Sequence, residues 1–324
     1  MRIYLRPLER RPRLSKDSAM ASLSHRQGWS LAVLLVLFPC FLCARVGSDN
    51  PEITYRTGTS EVRVTFFATD QNNRLVETID KNDFAVVDGD RIIRDFRSLT
   101  RSDETKLDIV MLIDASESVA PRFPAMAEQV LKLIAQTHPG DGLSIISFAG
   151  LRPTVLCTAD CSNISATNKI KSLNPAGSTP LFDSLAFAAQ YIADRHTAGV
   201  RQVLILLSDG NDTISGTSAR RALDALTGTG ALLYTINSNK SSRDIKASLA
   251  LQEMAEATGG RSFSAQDGAP QVLQAVLADL RASYVVTYPL PSRAAGFHSL
   301  RILPKHSLNL RFHCRRGYFY DEIR

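Results

Sequence analysis

Residues 107–118 are LDIVMLIDASES, an apolar run that ends in one aspartate and two serines at alternate positions. A strand that is covered on both of its faces needs such a run, because polar side chains on either face would be buried. Three further runs have the same character, at residues 143–148 (LSIISF), 203–207 (VLILL) and 231–236 (ALLYTI). The sequence therefore predicts four central strands of one sheet, with a short fifth strand that begins at residue 261.

Segments with helical spacing of their apolar residues separate these strands. They are residues 122–136, 164–173, 181–193, 219–226, 245–257 and 270–283. Strands that alternate with helices of this length favour a parallel sheet. We therefore predict an α/β fold with a doubly wound, mostly parallel sheet and helices on both faces. In such folds ligands bind at the carboxyl ends of the strands.

Both flanks of this region have the period-2 pattern of β-strands. Residues 61–66 alternate, and an Asp-Gly pair between residues 84–87 and 91–93 is typical of a hairpin. Later strands are predicted at residues 284–288, 298–303, 308–312 and 317–320. We predict that residues 50–100 and 285–324 pack together as one small β module, with the α/β domain inserted between them. Separate modules at the two ends are the alternative.

The predicted organisation of the chain has four parts. They are a leader at residues 1–48, an N-terminal β module at 49–104, the α/β domain at 105–284 and a C-terminal β segment at 285–324. The chain is formally basic, with 38 Lys and Arg against 32 Asp and Glu. The excess is confined to the leader, so the body is neutral. Because nucleic-acid binding uses a basic surface, we predict no nucleic-acid partner.

The leader has the composition of an export signal. Residues 29–44 (WSLAVLLVLFPCFLCA) form an apolar run behind a basic stretch, and Val46 and Ser48 fit cleavage just before Asp49. The run is shorter than the roughly 20 residues that a membrane span needs, so a cleaved signal peptide is favoured over a membrane anchor. Met20 is an alternative start. We expect a periplasmic or extracellular protein, attached to a membrane only if the leader is not cleaved.

Three cysteines follow the leader. Cys157 and Cys161 are close enough in sequence to close a small disulfide loop, which an exported chain tolerates. The alternative is two free thiols that flank a turn. One of the three cysteines, with Cys314 included, is unpaired in either case. Their spacing, without a neighbouring histidine, is not typical of a zinc site.

Polar side chains follow the predicted elements at one edge of the sheet. They are Asp114, Ser116 and Ser118 of a D-x-S-x-S motif, Thr179 of a Gly-Ser-Thr loop and Asp209 of an L-S-D-G motif. A small hard cation takes oxygen ligands in near-octahedral geometry, and hydroxyls and carboxylates supply such oxygens. The pattern therefore predicts a Mg²⁺-type site. The alternative is that the serines cap a helix, with Ser118 before Pro121 in that role.

Taken in this order, the three motifs resemble the metal-ion-dependent adhesion site of von Willebrand factor type A domains. The resemblance covers roughly residues 106–283 and implies the Rossmann-like fold of that family. It implies Mg²⁺ or Mn²⁺ as the cation, with Ser116, Ser118 and Thr179 as direct ligands and Asp114 and Asp209 as outer or mixed ones. In that family an Asp or Glu of a partner protein often supplies the last ligand.

The flanking segments support the predicted architecture and give no information about a ligand. DFAVVDGD at residues 83–90 and RRGYFY at residues 315–320 resemble segments of secreted bacterial proteins that carry the same domain. Ser178 stands where a second glycine is common in the family, a departure that concerns loop geometry rather than metal ligation. Four further polar residues near the motifs are expected in loop or helix-cap roles and not in the site. They are Glu117, Asp183, Asn211 and Asp212.

The resemblance implies an exported, metal-dependent binding protein, for adhesion or envelope assembly, and not an enzyme. It would capture a carboxylate of a protein partner through the cation. One alternative is a metal-assisted hydrolase, but the sequence has no G-x-S-x-G elbow and no H-E-x-x-H motif, and no histidine lies near the site motifs in sequence. The other alternative is a structural module whose metal site only stabilises the fold.

Overall fold

The structure is a computed structural model that describes most of the chain beyond residue 60. The described residues are 61–101, 106–138, 140–159, 161, 164–197, 199–239, 245–265, 269–306 and 308–320. The predicted leader, with its cleavage site and the alternative start at Met20, lies outside the described residues. Among the described residues, no helix has both the length and the apolar character that crossing a membrane requires.

A six-stranded sheet forms the centre of the α/β domain. Its strands are β5 (Leu107–Asp114), β6 (Gly142–Phe148), β7 (Thr154–Cys157), β8 (Arg201–Ser208), β9 (Leu232–Asn237) and β10 (Ser262–Ser264). The order across the sheet is β10-β9-β8-β5-β6-β7, and all neighbouring pairs are parallel except β6 and β7. The predicted fold class, a mostly parallel sheet with helices, is confirmed.

In the part of the chain that the structure describes, six helices flank this sheet. They are α1 (Phe123–Gln136), α2 (Ile164–Lys171), α3 (Leu181–Asp194), α4 (Ala219–Thr229), α5 (Ile245–Thr258) and α6 (Ala269–Arg281). Alternate residues of each strand point to opposite faces of the sheet. Accordingly, Ile109 and Met111 of β5 pack in one core with α1, α2 and α6, whereas Val110 and Leu112 pack in another with α3, α4 and α5. The two cores explain why the strand sequences are apolar throughout.

The strand order reverses at β5, and this reversal determines where ligands are expected to bind at the edge of the sheet. From β5 the chain passes to β6 on one side, and it later returns to β8, which lies directly on the other side of β5. A reversal of this kind opens a crevice outside the carboxyl ends of the two adjacent strands. The crevice therefore lies beyond Asp114 and Ser208, the last residues of β5 and β8.

Two four-stranded antiparallel sheets form a flanking module. Its strands are β1 (Glu61–Thr69), β2 (Phe84–Asp88), β3 (Arg91–Ile93), β4 (Ser98–Arg101), β11 (Tyr284–Pro289), β12 (Gly296–Pro304), β13 (Arg311–Cys314) and β14 (Gly317–Tyr320). The sheet orders are β13-β1-β11-β4 and β14-β12-β2-β3. In both sheets, strands that precede the α/β domain pair with strands that follow it. Residues from both sheets share one apolar core, which includes Phe66, Phe84 and Tyr288.

Two strands were not predicted from the sequence. The sequence Ser98–Arg101 is SLTR, and Thr154–Cys157 forms the outermost strand of the central sheet. Both are edge strands of four residues with exposed positions, so neither carries the apolar run by which a central strand is recognised. They pair with β11 and β6, whose own strong patterns position them.

Cys157 and Cys161 form a disulfide. Of the two alternatives that the sequence left open, the structure therefore selects the closed loop. The bond joins the end of β7 to the segment before α2. Cys314 is free and partly buried, and burial raises the pKa of its thiol to about 11, which keeps it protonated at neutral pH.

His313 lies where the module contacts the α/β domain, and its environment gives the fold a predictable pH dependence. Its ring stacks on Phe67 at a centroid distance of 4.6 Å, and its Nε2 lies 3.0 Å from the Thr69 hydroxyl. Burial lowers its pKa from 6.5 to about 4, and the charges of Arg261 and Arg311 contribute to the shift. The unfolded chain therefore takes up a proton at a higher pH than the folded protein does.

We expect the neutral ring of His313 to stabilise the protein above pH 6.5 and this contribution to disappear as the pH falls towards 4. In His313→Gln the stability difference from the wild type should change by about 2 kcal/mol between pH values of about 7.5 and 4. Urea unfolding at both pH values measures this. Other titrating groups are common to both proteins and cancel in the difference. A difference that is the same at both pH values would contradict the prediction.

Candidate functional site

Asp114 ends β5 and is completely buried at the crevice edge. Its Oδ1 accepts a hydrogen bond from the Ser116 backbone N–H at 2.9 Å, and its Oδ2 accepts one from the Ser208 hydroxyl at 2.7 Å. The first bond closes the turn of the D-x-S-x-S loop, and the second joins it to β8. Asp114 therefore holds the two central strands and the loop in a fixed arrangement.

Ser116 and Ser118 bring their hydroxyls together. The two Oγ atoms are 3.2 Å apart, with Ser116 buried and Ser118 exposed. Ser116 precedes a short 3₁₀ turn at residues 117–119, and α1 begins at Phe123 after Arg122; neither start has a side-chain cap. The helix-cap alternative for the serines is therefore wrong for these helices. The hydroxyls instead lie within hydrogen-bonding distance of one another, beyond the end of β5.

The Gly-Ser-Thr loop is bound to the D-x-S-x-S loop through the backbone. The Ala176 N–H donates to the Ala115 carbonyl, and the Glu117 N–H donates to the Gly177 carbonyl, both at 3.0 Å. Gly177 has a φ of +82°, a conformation that favours glycine and lets the chain turn towards Thr179. These bonds join the loop that carries Thr179, which is only 2% exposed, to the loop that carries the two serines.

Asp209 follows β8 and is 1% exposed. Its Oδ1 accepts from the Asn211 N–H at 3.1 Å. The loop that it begins is joined to the Thr179 loop, because the Thr179 N–H donates to the Thr213 hydroxyl at 2.8 Å and the Thr213 N–H donates to the Thr179 carbonyl at 2.9 Å. Hydrogen bonds therefore join the loops of all three sequence motifs to one another.

Burial makes the negative charge of this edge unfavourable. The pKa of the Asp114 carboxyl is raised by burial and also by the nearby charge of Asp209, although hydrogen bonds from Ser116 and Ser208 oppose the rise. Two carboxylates that are withdrawn from water repel one another. A bound cation would relieve both the repulsion and the loss of hydration, so the edge has the electrostatic character of a cation site.

The donor set fits a small divalent cation. In an octahedral site with metal–oxygen distances of 2.0–2.1 Å, adjacent ligand oxygens are about 2.9 Å apart. The separation of 3.2 Å between the two serine hydroxyls is close to that spacing. Within the described part of the chain no group of three or more His, Cys, Asp or Glu has a metal-binding arrangement. A cation at this edge would therefore depend on hydroxyl oxygens as well as on the two aspartates.

Comparison with known proteins agrees with this fold. The model of the von Willebrand factor type A domain matches residues 108–278, which is more than half of the chain. The chain belongs to the von Willebrand factor type A domain family. Domains of this family are typically adhesion or binding modules rather than enzymes. Comparison with curated proteins finds no match.

Several solved structures are similar to the chain. An aerotolerance-related membrane protein from Bacteroides fragilis NCTC 9343 has 19% identity and a TM-score of 0.42, over 54% of this chain and 98% of that one. Manganese-loaded TRAP protein of Plasmodium vivax has 16% identity and a TM-score of 0.44, over 73% and 99%. Proximal thread matrix protein 1 of the mussel byssus, with a zinc-occupied MIDAS motif, has 18% identity and a TM-score of 0.46, over 59% and 49%.

Two residues at the sheet edge that carries the candidate site were not identified from the sequence. Ser208 donates to Asp114, and Arg122 lies with its Nη2 3.5 Å from Asp209 Oδ2. Ser208 could have been found, because it immediately precedes Asp209 at the end of a strand. No sequence pattern indicates that Arg122 lies at this edge, because its contact with Asp209 depends on how loops after different strands approach one another.

Two other acids near the motifs, Asp183 and Asp212, have structural roles, in keeping with expectation. Asp183, in the first turn of α3, accepts from the backbone N–H groups of Gly216 and Thr217. Asp212 accepts from the Ser215 hydroxyl and from the Phe182 N–H at the start of α3. Because these carboxylates already hold the loop after β8 against α3, they are separate from the candidate site.

Proposed function

We propose that this protein is an exported binding protein that captures a carboxylate of a protein partner through Mg²⁺ or Mn²⁺. Ser116, Ser118 and Thr179 are the direct ligands, and Asp114 and Asp209 support the site. The observation that carries the proposal is the pair of serine hydroxyls 3.2 Å apart, which are not used as helix caps and lie in a loop that the buried Asp114 carboxylate closes. When bound, the cation supplies an electrophilic centre for an outside carboxylate.

The exposure of the edge suits a partner that approaches from solvent. Asp114, Ser116, Thr179 and Asp209 are buried, whereas Ser118 is exposed. Backbone N–H groups hold a carboxylate oxygen of Asp114 and one of Asp209, and backbone bonds join the loops that carry the buried groups. The exposed side leaves room for a ligand from another protein. A site with few charged ligands keeps its cation electrophilic, and this favours an acidic side chain as the incoming group.

The disulfide between Cys157 and Cys161 supports export. Disulfides persist in oxidising compartments such as the periplasm and the extracellular space, and they are rare in the cytosol. The predicted signal peptide points the same way. We therefore propose a periplasmic or extracellular location, with membrane attachment only through an uncleaved leader.

The described geometry does not favour the hydrolase alternative. A metal-assisted hydrolase needs a general base near the cation to activate a nucleophile. Among the described residues, the side chains that hydrogen-bond to the carboxylates of Asp114 and Asp209 are those of Ser116, Ser208 and Arg122. A hydroxyl and a guanidinium are poor general bases at neutral pH. We therefore propose binding as the function of this edge.

Paramagnetic relaxation tests the proposed chemistry directly. Mn²⁺ bound to the protein should shorten the relaxation times of the methyl protons of acetate, a carboxylate probe, because acetate would coordinate the cation. Acetamide has a similar shape and no charge, so its methyl protons should show a much smaller effect. The same experiment with Ser116→Ala/Ser118→Ala measures the contribution of Mn²⁺ that is bound elsewhere. Equal relaxation of acetate and acetamide would show that the site does not select a carboxylate.

A further inference from the structure

Arg122 places a positive charge inside the candidate site. Its guanidinium donates to the Ser118 carbonyl at 2.8 Å and to the Ser238 carbonyl at 3.2 Å. It also contacts Asn239 Oδ1 at 3.4 Å, and its Nη2 lies 3.5 Å from Asp209 Oδ2. The loops after β5, β8 and β9 therefore converge on one guanidinium, whose side chain is 23% exposed.

The position of this charge matters because the edge holds two buried carboxylates. Among the described ion pairs, the pair between Arg122 and Asp209 is the one that reaches either Asp114 or Asp209. The guanidinium balances one of the two negative charges. A divalent cation that binds beside it would give the edge a net charge of +1, and a partner carboxylate would then make the edge neutral.

We propose that Arg122 is a positioning residue that weakens the binding of the divalent cation alone and strengthens the binding of a carboxylate to the cation-loaded site. This rests on the proposed function, since it presupposes a cation at the same edge. Like charges at short range repel strongly where water is partly excluded, so the guanidinium opposes the cation. An incoming carboxylate interacts favourably with both positive groups. Cation and carboxylate therefore bind cooperatively, and the coupling is reciprocal.

The hydrogen bonds of Arg122 make this effect possible without movement of the backbone. When a cation interacts with Asp209, the guanidinium retains two carbonyl acceptors, those of Ser118 and Ser238. It therefore remains at the rim of the site. From there it can donate two parallel hydrogen bonds to a carboxylate, a geometry that arginine provides and lysine does not.

Two titrations on the full chain test the proposal. Calorimetric titration with Mg²⁺ should show roughly 10-fold tighter binding by Arg122→Gln than by the wild type. Relaxation of acetate by bound Mn²⁺ should show roughly 10-fold weaker acetate binding in the same variant. These opposite changes distinguish a charge effect from a merely structural one, because a distorted site would bind both ligands more weakly. Arg220→Gln removes a charge at an exposed position on α4 and should alter neither affinity.

The wild type provides a test that does not depend on the folding of a variant. Acetate should raise its affinity for Mg²⁺, and an affinity that is independent of acetate overturns the inference. Unchanged affinities in a folded Arg122→Gln also overturn the inference while the metal site remains. If the wild type binds neither Mg²⁺ nor Mn²⁺, with or without acetate, the proposed site itself is wrong. A Mg²⁺ affinity that does not depend on acetate therefore contradicts only the role of Arg122, whereas the absence of any cation binding contradicts the metal site.

Discussion

Replacement of both serines, in Ser116→Ala/Ser118→Ala, is expected to weaken the binding of Mg²⁺ and Mn²⁺ at least 100-fold. The two hydroxyls lie 3.2 Å apart and are the pair whose spacing fits adjacent ligands of an octahedral cation. A 100-fold change in affinity corresponds to about 2.7 kcal/mol, which is reasonable for two lost direct ligands. Calorimetric titration of chelator-treated protein measures the affinity. The fold should be retained, because neither hydroxyl caps a helix.

A matched control lies in the neighbouring loop. Ser178 is exposed and directly precedes Thr179, but its backbone carbonyl, not its hydroxyl, has a structural role, in a bond from the Gly150 N–H. Ser178→Ala should therefore leave the metal affinity unchanged within about 2-fold. If the double variant binds the cations as tightly as the wild type does, the serines are not ligands, and the assignment of the site is wrong.

Replacement of Arg261 by methionine is expected to lower the free energy of unfolding by about 3 kcal/mol at a pH of about 8. Its guanidinium forms two hydrogen bonds to the Asp279 carboxylate, at 2.6 and 2.7 Å, and the Asp279 side chain is only 1% exposed. Removal of one partner leaves a buried charge uncompensated, and this is strongly destabilising. The guanidinium also lies over the rings of Phe67 and Phe263, so it joins the β module to the α/β domain.

The pH dependence of this loss gives a second test. Burial raises the pKa of Asp279 to about 7 in spite of Arg261, and removal of Arg261 raises it further. A protonated carboxyl tolerates burial better than a carboxylate does. The loss of unfolding free energy in Arg261→Met should therefore be smaller at a pH of about 5.5 than at a pH of about 8. Urea unfolding of both proteins at both pH values measures this. A loss that grows towards low pH would contradict the explanation.

Two further variants separate the ion pair from general effects of substitution. Arg261→Met/Asp279→Leu removes both charges, and we expect it to be more stable than Arg261→Met alone, because no uncompensated charge remains. Arg220→Met replaces an arginine whose side chain is 87% exposed and should change the stability by less than about 0.5 kcal/mol. A double variant that is less stable than the single one would indicate that packing, and not charge, dominates at this position.

The central strands could be predicted because their burial is recorded in their composition. Every residue of β5 is buried, and its odd and even positions pack against different helical layers. Apolar residues predominate in such a strand, so a run like LDIVMLI is recognisable without further information. The edge strands β4 and β7 carry no such constraint, since part of each is exposed, and they were missed.

The candidate site was predictable for a related reason. Parallel strands end at a common edge, so polar motifs that directly follow buried strands must lie near one another. Asp114 and Asp209 were found in this way, and Thr179 was found from its Gly-Ser-Thr loop at the entry to a helix. The structure brings their loops together. Arg122 was not found, because its proximity to Asp209 depends on a contact between residues that are 87 positions apart. That the five residues bind a cation remains a prediction.

The sequence by itself determined the α/β class, the boundaries of most helices and strands and the polar motifs that lie near the sheet edge, because these follow from local periodicity and from the composition of buried strands. Only the tertiary structure decided the strand order around β5, the pairing of early with late strands in the module, the disulfide between Cys157 and Cys161 and the position of the Arg122 guanidinium. The physical reason is that each of these features joins groups through packing in space. Local sequence records which groups are to be buried, but it does not record which distant groups they will meet.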